Sequence, residues 1–283
     1  MTLLVAMAAA LTWRELPSLP VGLGGQYVGV INDHLVVAGG SYWTASQWEG
    51  GKKIWVDTVY VLGRKDKQWR LAGRLPVSLG YGATITTEDG MFCLGGQTAT
   101  AVSSHVYRVG LENNGIQVTR LADLPEPMMM MGAALLDGRI YVAGGQSTRA
   151  LNSFYALEVT TAAWKKLPTW PGPATFLPQM TVAGNAIYLV GGADLAPHRV
   201  FLNNAYEYTL AGGWRKIAGY PHPVQAGVAA GIGEMPLVFG GSDGILAAFE
   251  ATVKDDHPGF STMVWAFHRV EISGVPSAAC LSR

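Results

Sequence analysis

The residues with the clearest capacity for chemistry lie close together in one polar segment near the start of the chain. Within eleven residues this segment contains two tryptophans, one glutamate and two lysines. Indole faces can stack on the C–H surface of a sugar ring, and a lysine ammonium can pair with a carboxylate. The composition therefore predicts a sugar-acid site, and the alternative is a solvated hairpin whose aromatic rings pack between sheets. The residues concerned are Trp43, Trp48, Glu49, Lys52 and Lys53.

A second long segment, from Asp243 to Phe260, contains a histidine that is a candidate for proton transfer. The ordinary pKa of histidine lies near neutrality, so His257 is either a proton shuttle or an ordinary loop residue. The sequence assigns no other catalytic residue.

Four polar residues occupy similar places directly after glycine pairs, and we expect them to point towards one common mouth. Their alternative role is to satisfy the backbone of the turns in which they lie. These residues are Gln97, Gln146, Asp194 and Asp243.

The sequence shows no other catalytic or cofactor pattern. No nucleophile–base triad, paired metal ligands or phosphate loop stands out, and Gly22-Leu23-Gly24-Gly25 precedes a strand rather than a helix, unlike a dinucleotide-binding turn. The two cysteines, Cys93 and Cys280, form neither a disulfide framework nor a metal-binding spacing. We therefore predict no metal and no cofactor.

These candidate residues must be positioned by a repeated element, an apolar run that ends in Gly-Gly. The first glycines of the five pairs lie at positions 39, 95, 144, 191 and 240, so the spacings are 56, 49, 47 and 49 residues. Each repeat carries signals for four strands, including a tight polar turn such as Asp137-Gly138. Four strands in about 50 residues is typical of the kelch-type β-propeller. The predicted fold class is therefore all-β.

The two ends of the chain suggest how the propeller closes. Residues 12–20 are predicted to be an outer strand that closes the ring, because an unpaired sheet edge is a liability. We expect a six-bladed propeller with one blade incomplete, and the alternative is five blades with the N-terminal strand serving the fifth. The single domain then divides into blades at 21–75, 76–124, 125–170, 171–220 and 221–270, with an irregular tail at 271–283.

Charge and length limit the partners of the chain. Its 283 residues carry no net charge, with a pI of about 7.0, so neither nucleic acid nor an acidic membrane surface is indicated. No apolar run is long enough to insert in a membrane. Residues 1–11 are apolar and are either the end of a signal peptide or a disordered start. The first interpretation predicts a periplasmic or secreted protein, and the second a cytoplasmic one.

Several of these segments together resemble a known family, the cyclically permuted branch of the N-acetylneuraminate epimerases, or sialic acid mutarotases. The resemblance covers roughly residues 13–270 and implies a bacterial six-bladed kelch propeller that interconverts the α and β anomers of N-acetylneuraminate without a cofactor. It also implies that Tyr81 and Phe260 line the sugar site. The similar segments are Trp48-Glu49-Gly50-Gly51-Lys52-Lys53, Gly80-Tyr81-Gly82, Leu124-Pro125-Glu126-Pro127, Trp170-Pro171-Gly172-Pro173 and His257-Pro258-Gly259-Phe260-Ser261.

One departure from the family pattern bears on activity. The family's catalytic pair is a Gly-Glu followed by an arginine in the next loop, on the blade after the His-Pro-Gly-Phe segment, and nothing in residues 273–283 fits it. The chain is then an isomerase, or an inactive relative that lost the catalytic blade. The alternatives are a carbohydrate-binding propeller without turnover and a protein-interaction scaffold.

Overall fold

The computed structural model describes residues 14–113, 115–195 and 198–267, together with the backbone of 278–281. Five four-stranded antiparallel sheets follow one another along the chain, which confirms the predicted all-β repeat. The first two blades comprise β1 (Tyr27–Ile31), β2 (His34–Ala38), β5 (Thr58–Gly63) and β6 (Arg70–Arg74), then β7 (Ala83–Thr87), β8 (Gly90–Gln97), β9 (Val102–Glu112) and β10 (Gly115–Arg120). The third and fourth comprise β11 (Gly132–Leu136), β12 (Arg139–Ala143), β13 (Phe154–Glu158) and β14 (Ala163–Lys166), then β15 (Gln179–Ala183), β16 (Ala186–Val190), β19 (Ala205–Thr209) and β20 (Gly213–Ile217). The fifth comprises β21 (Val228–Ile232), β22 (Met235–Phe239), β23 (Val264–Phe267) and β24 (Ala278–Leu281).

The loops between the second and third strands carry the remaining elements. Two of these loops contain short two-stranded ribbons, β3 (Ser41–Trp43) with β4 (Lys53–Trp55) in the first blade, and β17 (Ala193–Asp194) with β18 (Val200–Phe201) in the fourth. The corresponding loop of the fifth blade contains the four-residue helix α1 (Glu250–Val253).

The tight turns between the first and second strands follow the residues predicted for them. Asp137 and Gly138 have φ of 51° and 71°, and Asn32 and Asp33 have φ of 47° and 62°. Two consecutive positive φ angles match the twist of a two-residue hairpin, a conformation that asparagine, aspartate and glycine tolerate best.

Neighbouring blades pack through alternate residues of their innermost strands. A Cβ added at Gly29, the third residue of β1, would collide with Thr86 and Met91 of the second blade. A Cβ added at Gly231, the fourth residue of β21, would collide with Val182 of the fourth blade. Odd positions of an innermost strand therefore face the following blade and even positions face the preceding one, as the two-residue period of a strand requires.

The Gly-Gly pairs allow the blades to approach each other closely. Gly39 has φ of 61°, and a Cβ there would collide with the carbonyl oxygen of Leu79 in the next blade. That same oxygen accepts a hydrogen bond from the Gly40 N–H at 2.8 Å. The repeat therefore needs glycine for both backbone conformation and space.

In the first and last of the five blades, the innermost strand has exposed apolar residues on the side that faces away from the other blades. Val28 and Val30, the even positions of β1, are 42% and 54% exposed. Val228 and Ile232, odd positions of β21, are 67% and 41% exposed. The described chain thus contains five blades, while the sixth, incomplete blade remains a prediction.

The predictions for the chain ends need correction. The sequence predicts an irregular tail at 271–283. In the structure, Ala278–Leu281 pairs with β23 as the fourth strand of the fifth blade. This strand forms because the open edge of β23 presents unpaired backbone groups to an extended segment. Residues 14–20 pair with no strand of the described chain; instead, the Pro17 carbonyl accepts a hydrogen bond from Trp69 Nε1 at 2.8 Å. Residues 1–11 lie outside the described residues.

Candidate functional site

The loops of all five blades meet on one face of the propeller, which we call the mouth. In each blade a backbone bridge joins the turn that enters the first strand to the residue that follows the glycine pair. These bridges hold the loops in equivalent places around the mouth. They are Gly24 with Ser41, Gly80 with Gln97, Met129 with Gln146, Phe176 with Ala193, and Gln225 with Ser242.

The residue after each of these turns has a left-handed conformation, and these residues bond to one another from blade to blade. From the second blade to the fifth, the N–H of this residue donates to the carbonyl oxygen of its counterpart in the preceding blade, at 2.6, 2.6, 2.7 and 3.1 Å. We call this chain of hydrogen bonds the turn spiral. Its members are Gly25, Tyr81, Met130, Leu177 and Ala226, with φ between 54° and 68°.

A lysine of the first blade lies against two aromatic rings beside the turn spiral. The ribbon pairs Trp43 with Lys53 and Ser41 with Trp55, which places these four side chains on one face of the ribbon. The Lys53 ammonium lies 4.3 Å from the ring centroid of Tyr81 and 5.0 Å from that of Trp55. We call Ser41, Lys53, Trp55 and Tyr81 the Lys53 cluster.

The aromatic rings of this cluster hold each other in place. The rings of Tyr81 and Trp55 meet edge to face at 5.5 Å, and the Tyr81 hydroxyl lies 3.3 Å from Ser41 Oγ. Lys53 itself is half-buried, and no carboxylate of the described residues forms an ion pair with it. A partly desolvated ammonium held by cation–π contacts retains N–H donors for an anion.

The other predicted residues of the first-blade loop lie at its tip. Trp48 and Glu49 belong to a single 3-10 turn, Gln47–Glu49, which begins where Ser46 Oγ accepts the Trp48 N–H at 3.2 Å. Lys52 is exposed and its backbone N–H donates to Thr44 Oγ1. The structure therefore separates the predicted set into Trp43 and Lys53 on the ribbon, and three exposed residues beyond it.

The polar residues after the glycine pairs take two different roles. Gln97 and Gln146 are half-buried on the rim of the mouth, where their backbones form the bridges described above. Asp194 Oδ1 accepts the N–H of Leu195 at 2.7 Å, and Asp243 Oδ1 accepts the N–H of Ile245 at 3.0 Å. Both aspartates therefore satisfy the backbone of their own turns.

The insertion of the fifth blade, residues 242–261, holds the last two candidates apart from the Lys53 cluster. His257 Nδ1 accepts the Gly259 N–H at 3.0 Å, and Phe260 is 63% exposed. Within the described residues, no hydrogen bond, ion pair or ring contact joins either of them to Lys53.

The sequence did not single out Arg199, which the fourth-blade ribbon places in an equivalent position. Phe201 lies opposite Ala193 just as Trp55 lies opposite Ser41. Arg199 precedes Phe201 by two residues, the same offset that separates Lys53 from Trp55. A cation two residues before an aromatic residue, both after a glycine pair, is a signal that could have identified it.

The guanidinium of Arg199 is held much as Lys53 is. It lies 5.3 Å from the ring of Phe176 and 5.1 Å from that of Phe201, and Nη2 donates to Gln225 Oε1 at 2.8 Å. The mouth therefore presents two cations, each supported by two aromatic rings.

The described part of the chain shows neither a metal-binding group nor a membrane-spanning helix. Its His, Cys, Asp and Glu residues form no group of three or more that could hold a metal ion. None of its helices has the length and apolar character needed to cross a membrane.

Comparison with known proteins agrees with the repeat architecture. A family model described as "Kelch motif" matches residues 127–169, which include most of the third blade. The solved structure titled "Structure of YjhT" superimposes with a TM-score of 0.68 at 16% identity, over 90% of this chain and 84% of that one. The chain has the fold of a kelch-type β-propeller.

Curated relatives of the propeller carry a shared name. This chain is 34% identical over 113 residues to the N-acetylneuraminate epimerase of Yersinia enterocolitica, and the match covers 33% of this chain and 28% of that protein. It is 31% identical over 125 residues to the enzyme of the same name from Vibrio vulnificus, covering 38% and 32%. These matches confirm the resemblance to N-acetylneuraminate epimerases, while the permuted order of the repeats stays a prediction.

The matched segments are short compared with the full length of the relatives. They span about a third of the length of the curated relatives. Beta-scruin of Limulus polyphemus is also similar, with 27% identity over 157 residues, covering 52% of this chain and 17% of that protein.

Proposed function

We propose that this propeller binds N-acetylneuraminate at the mouth and interconverts its α and β anomers. The names of the curated relatives support the substrate, and the Lys53 cluster supports the binding mode. The observation that carries the proposal is the half-buried Lys53 ammonium, which lies at the mouth against two rings and lacks a carboxylate partner among the described residues. A sugar carboxylate supplies the missing counter-charge, and Trp43, opposite Lys53 on the ribbon, offers a ring face to the sugar.

The reaction opens and closes a pyranose ring, and its steps define what the site must provide. A base removes the proton of the anomeric hydroxyl while an acid protonates the ring oxygen, and the bond between the anomeric carbon and the ring oxygen breaks. The resulting ketone recloses when the hydroxyl attacks its other face, with both protons returned. Lys53 orients the carboxylate in this scheme. The anomeric carbon carries that carboxylate, so the proton carrier has to lie beside Lys53, whereas His257 is held in the fifth-blade insertion by its bond from the Gly259 N–H.

A second candidate function is binding of sugar acids without turnover. It is favoured by the arrangement around Lys53, where no Asp, Glu or His side chain of the described residues forms a hydrogen bond or an ion pair with the cluster. Such a mouth has a means of orienting a carboxylate but shows no acid–base pair beside it.

Anomer exchange followed by proton NMR distinguishes these functions. The 283-residue chain is added to freshly released α-N-acetylneuraminate, and appearance of the β anomer is compared with a buffer blank. Acceleration that Lys53→Met removes and Lys52→Met preserves is the expected result. Saturable binding without acceleration would leave the carbohydrate-binding function, and neither binding nor acceleration by a folded sample would refute both.

A further inference from the structure

The Lys53 cluster contains a phenol, that of Tyr81, which belongs to the turn spiral. A tyrosine hydroxyl can both release and accept a proton, and Tyr81 is the member of the spiral with such a group. The side chains of the other members are not ionisable, and these members are Gly25, Met130, Leu177 and Ala226. The spiral thus places its acidic side chain beside the ammonium that is proposed to bind the sugar carboxylate.

The ring of Tyr81 is held from three directions. The Lys53 ammonium lies 4.3 Å from the ring centroid, and the Trp55 ring meets it edge to face at 5.5 Å. A Cβ added at Gly25 would lie 2.7 to 2.8 Å from three atoms of the ring, so the ring packs directly on the Gly25 backbone. These contacts leave the ring little freedom, and the fold therefore fixes the position of its hydroxyl.

A buried serine lies beside the Tyr81 hydroxyl. Ser41 is 2% exposed, and its Oγ lies 3.3 Å from Tyr81 Oη. Two backbone hydrogen bonds with Gly24, at 2.8 and 2.9 Å, hold Ser41 in place. Because a serine hydroxyl both donates and accepts, Ser41 can donate to the oxygen of Tyr81 once that oxygen has lost its proton.

The charge beside Tyr81 suits a group that releases a proton during a reaction. A phenol that gives up its proton becomes negative, and the nearby Lys53 ammonium attracts that negative charge. Among the described residues, no carboxylate forms an ion pair with Lys53. Its positive charge is therefore available both to the sugar carboxylate and to the oxygen of Tyr81.

We propose that the Tyr81 hydroxyl is the proton carrier of the anomer exchange, an inference that rests on the proposed function. Tyr81 donates its proton to the ring oxygen while the bond between that oxygen and the anomeric carbon breaks. The anomeric hydroxyl gives its own proton to the Tyr81 oxygen as the ketone forms, so no proton is gained or lost. Both oxygens are bonded to the carbon that bears the carboxylate, and one group beside Lys53 therefore serves both transfers. Closure on the other face of the ketone reverses these steps.

The variant Tyr81→Phe tests this role, because it keeps the ring and removes only the hydroxyl. The rate of anomer exchange at saturating N-acetylneuraminate, measured by proton NMR, should fall by about 10²-fold to 10⁴-fold. The Kd from calorimetry should change by no more than about threefold, since Lys53 still pairs with the carboxylate. Tyr42→Phe is the matched control. Tyr42 lies opposite Ile54 on the other face of the same ribbon, and its variant should leave both quantities unchanged.

The possible results distinguish this role from the proposed function itself. A parent chain that accelerates exchange, with Tyr81→Phe equally fast, would overturn the role of Tyr81 and leave the mutarotase function intact. A parent that binds the sugar without accelerating exchange would overturn both. Loss of affinity as large as the loss of rate in Tyr81→Phe would also overturn the role, because the hydroxyl would then only help to hold the ligand.

Ser41→Ala provides the second measurement, which decides the question if urea unfolding shows that Tyr81→Phe is not folded. Removal of the Ser41 hydroxyl deprives the Tyr81 oxygen of its neighbouring donor. The exchange rate should then fall by about tenfold while the Kd stays within about twofold of the parent value. An unchanged rate in folded Ser41→Ala would count against proton transfer by Tyr81.

Discussion

Replacing Lys53 with methionine removes the ammonium but retains most of the apolar stem against Trp55 and Tyr81. A hydrogen bond to a charged group contributes about 1.5–3 kcal/mol. Since 1.4 kcal/mol corresponds to a tenfold change in affinity, Lys53→Met should raise the Kd for N-acetylneuraminate by about 10-fold to 140-fold. The upper part of this range is expected because Lys53 is half-buried and unpaired by any carboxylate of the described residues.

Isothermal titration calorimetry measures this effect, with Lys52→Met as the control. Lys52 is adjacent in sequence and carries the same charge, but it is exposed, so its loss should change the Kd by no more than about twofold. The methyl ester of the sugar supplies the complementary perturbation. If Lys53 pairs with the carboxylate, esterification should weaken binding to the parent and hardly affect binding to Lys53→Met. Equal losses from both lysine variants, or additive losses from the ester and Lys53→Met, would refute the pairing.

Three further predictions concern the core beneath the mouth. Tyr27→Phe removes a buried hydroxyl that donates to the Gly95 carbonyl at 2.6 Å. The free energy of unfolding, measured in urea, should fall by about 1–3 kcal/mol. A fall within error of zero would contradict this prediction. Burial raises the pKa of Tyr27 well above its ordinary value of 10.0, so the unfolded chain loses this proton first as pH rises. Stability should then fall above pH 10 by about 1.4 kcal/mol per pH unit from this group, and Tyr27→Phe should lessen that slope. Burial likewise raises the pKa of the fully buried Cys93 thiol, so a thiol reagent should modify Cys93 only on unfolding, and rapid native labelling would show otherwise.

The architecture could be predicted because its signals are local and repeated. Each glycine pair, such as Gly39-Gly40, marks a close approach between blades that few other residues permit. The turn at Asp137-Gly138 is specified by two adjacent residues. The fourth strand of the fifth blade was missed because β24 carries no such signal and pairs only by completing an open edge.

The site was harder to predict because it depends on register across loops. Trp55 was overlooked, although the ribbon places it beside Tyr81, because the pairing of Ser41 with Trp55 spans a long loop. Conversely, Glu49 and His257 have suitable chemistry in sequence, but each lies in a loop organised by its own short-range hydrogen bonds. Composition identified the loops, and only the fold shows which of their residues approach one another.

The turn spiral has a consequence for how such a protein can evolve. Its members, Gly25, Tyr81, Met130, Leu177 and Ala226, are five different residues that are linked to one another by main-chain hydrogen bonds. A left-handed conformation costs a non-glycine residue about 1–3 kcal/mol, least for asparagine and aspartate and most for β-branched residues. Selection can therefore exchange the side chain at each of these positions while its Cα stays in place. Substitutions at these positions can therefore change ligand binding one blade at a time while the fold stays the same.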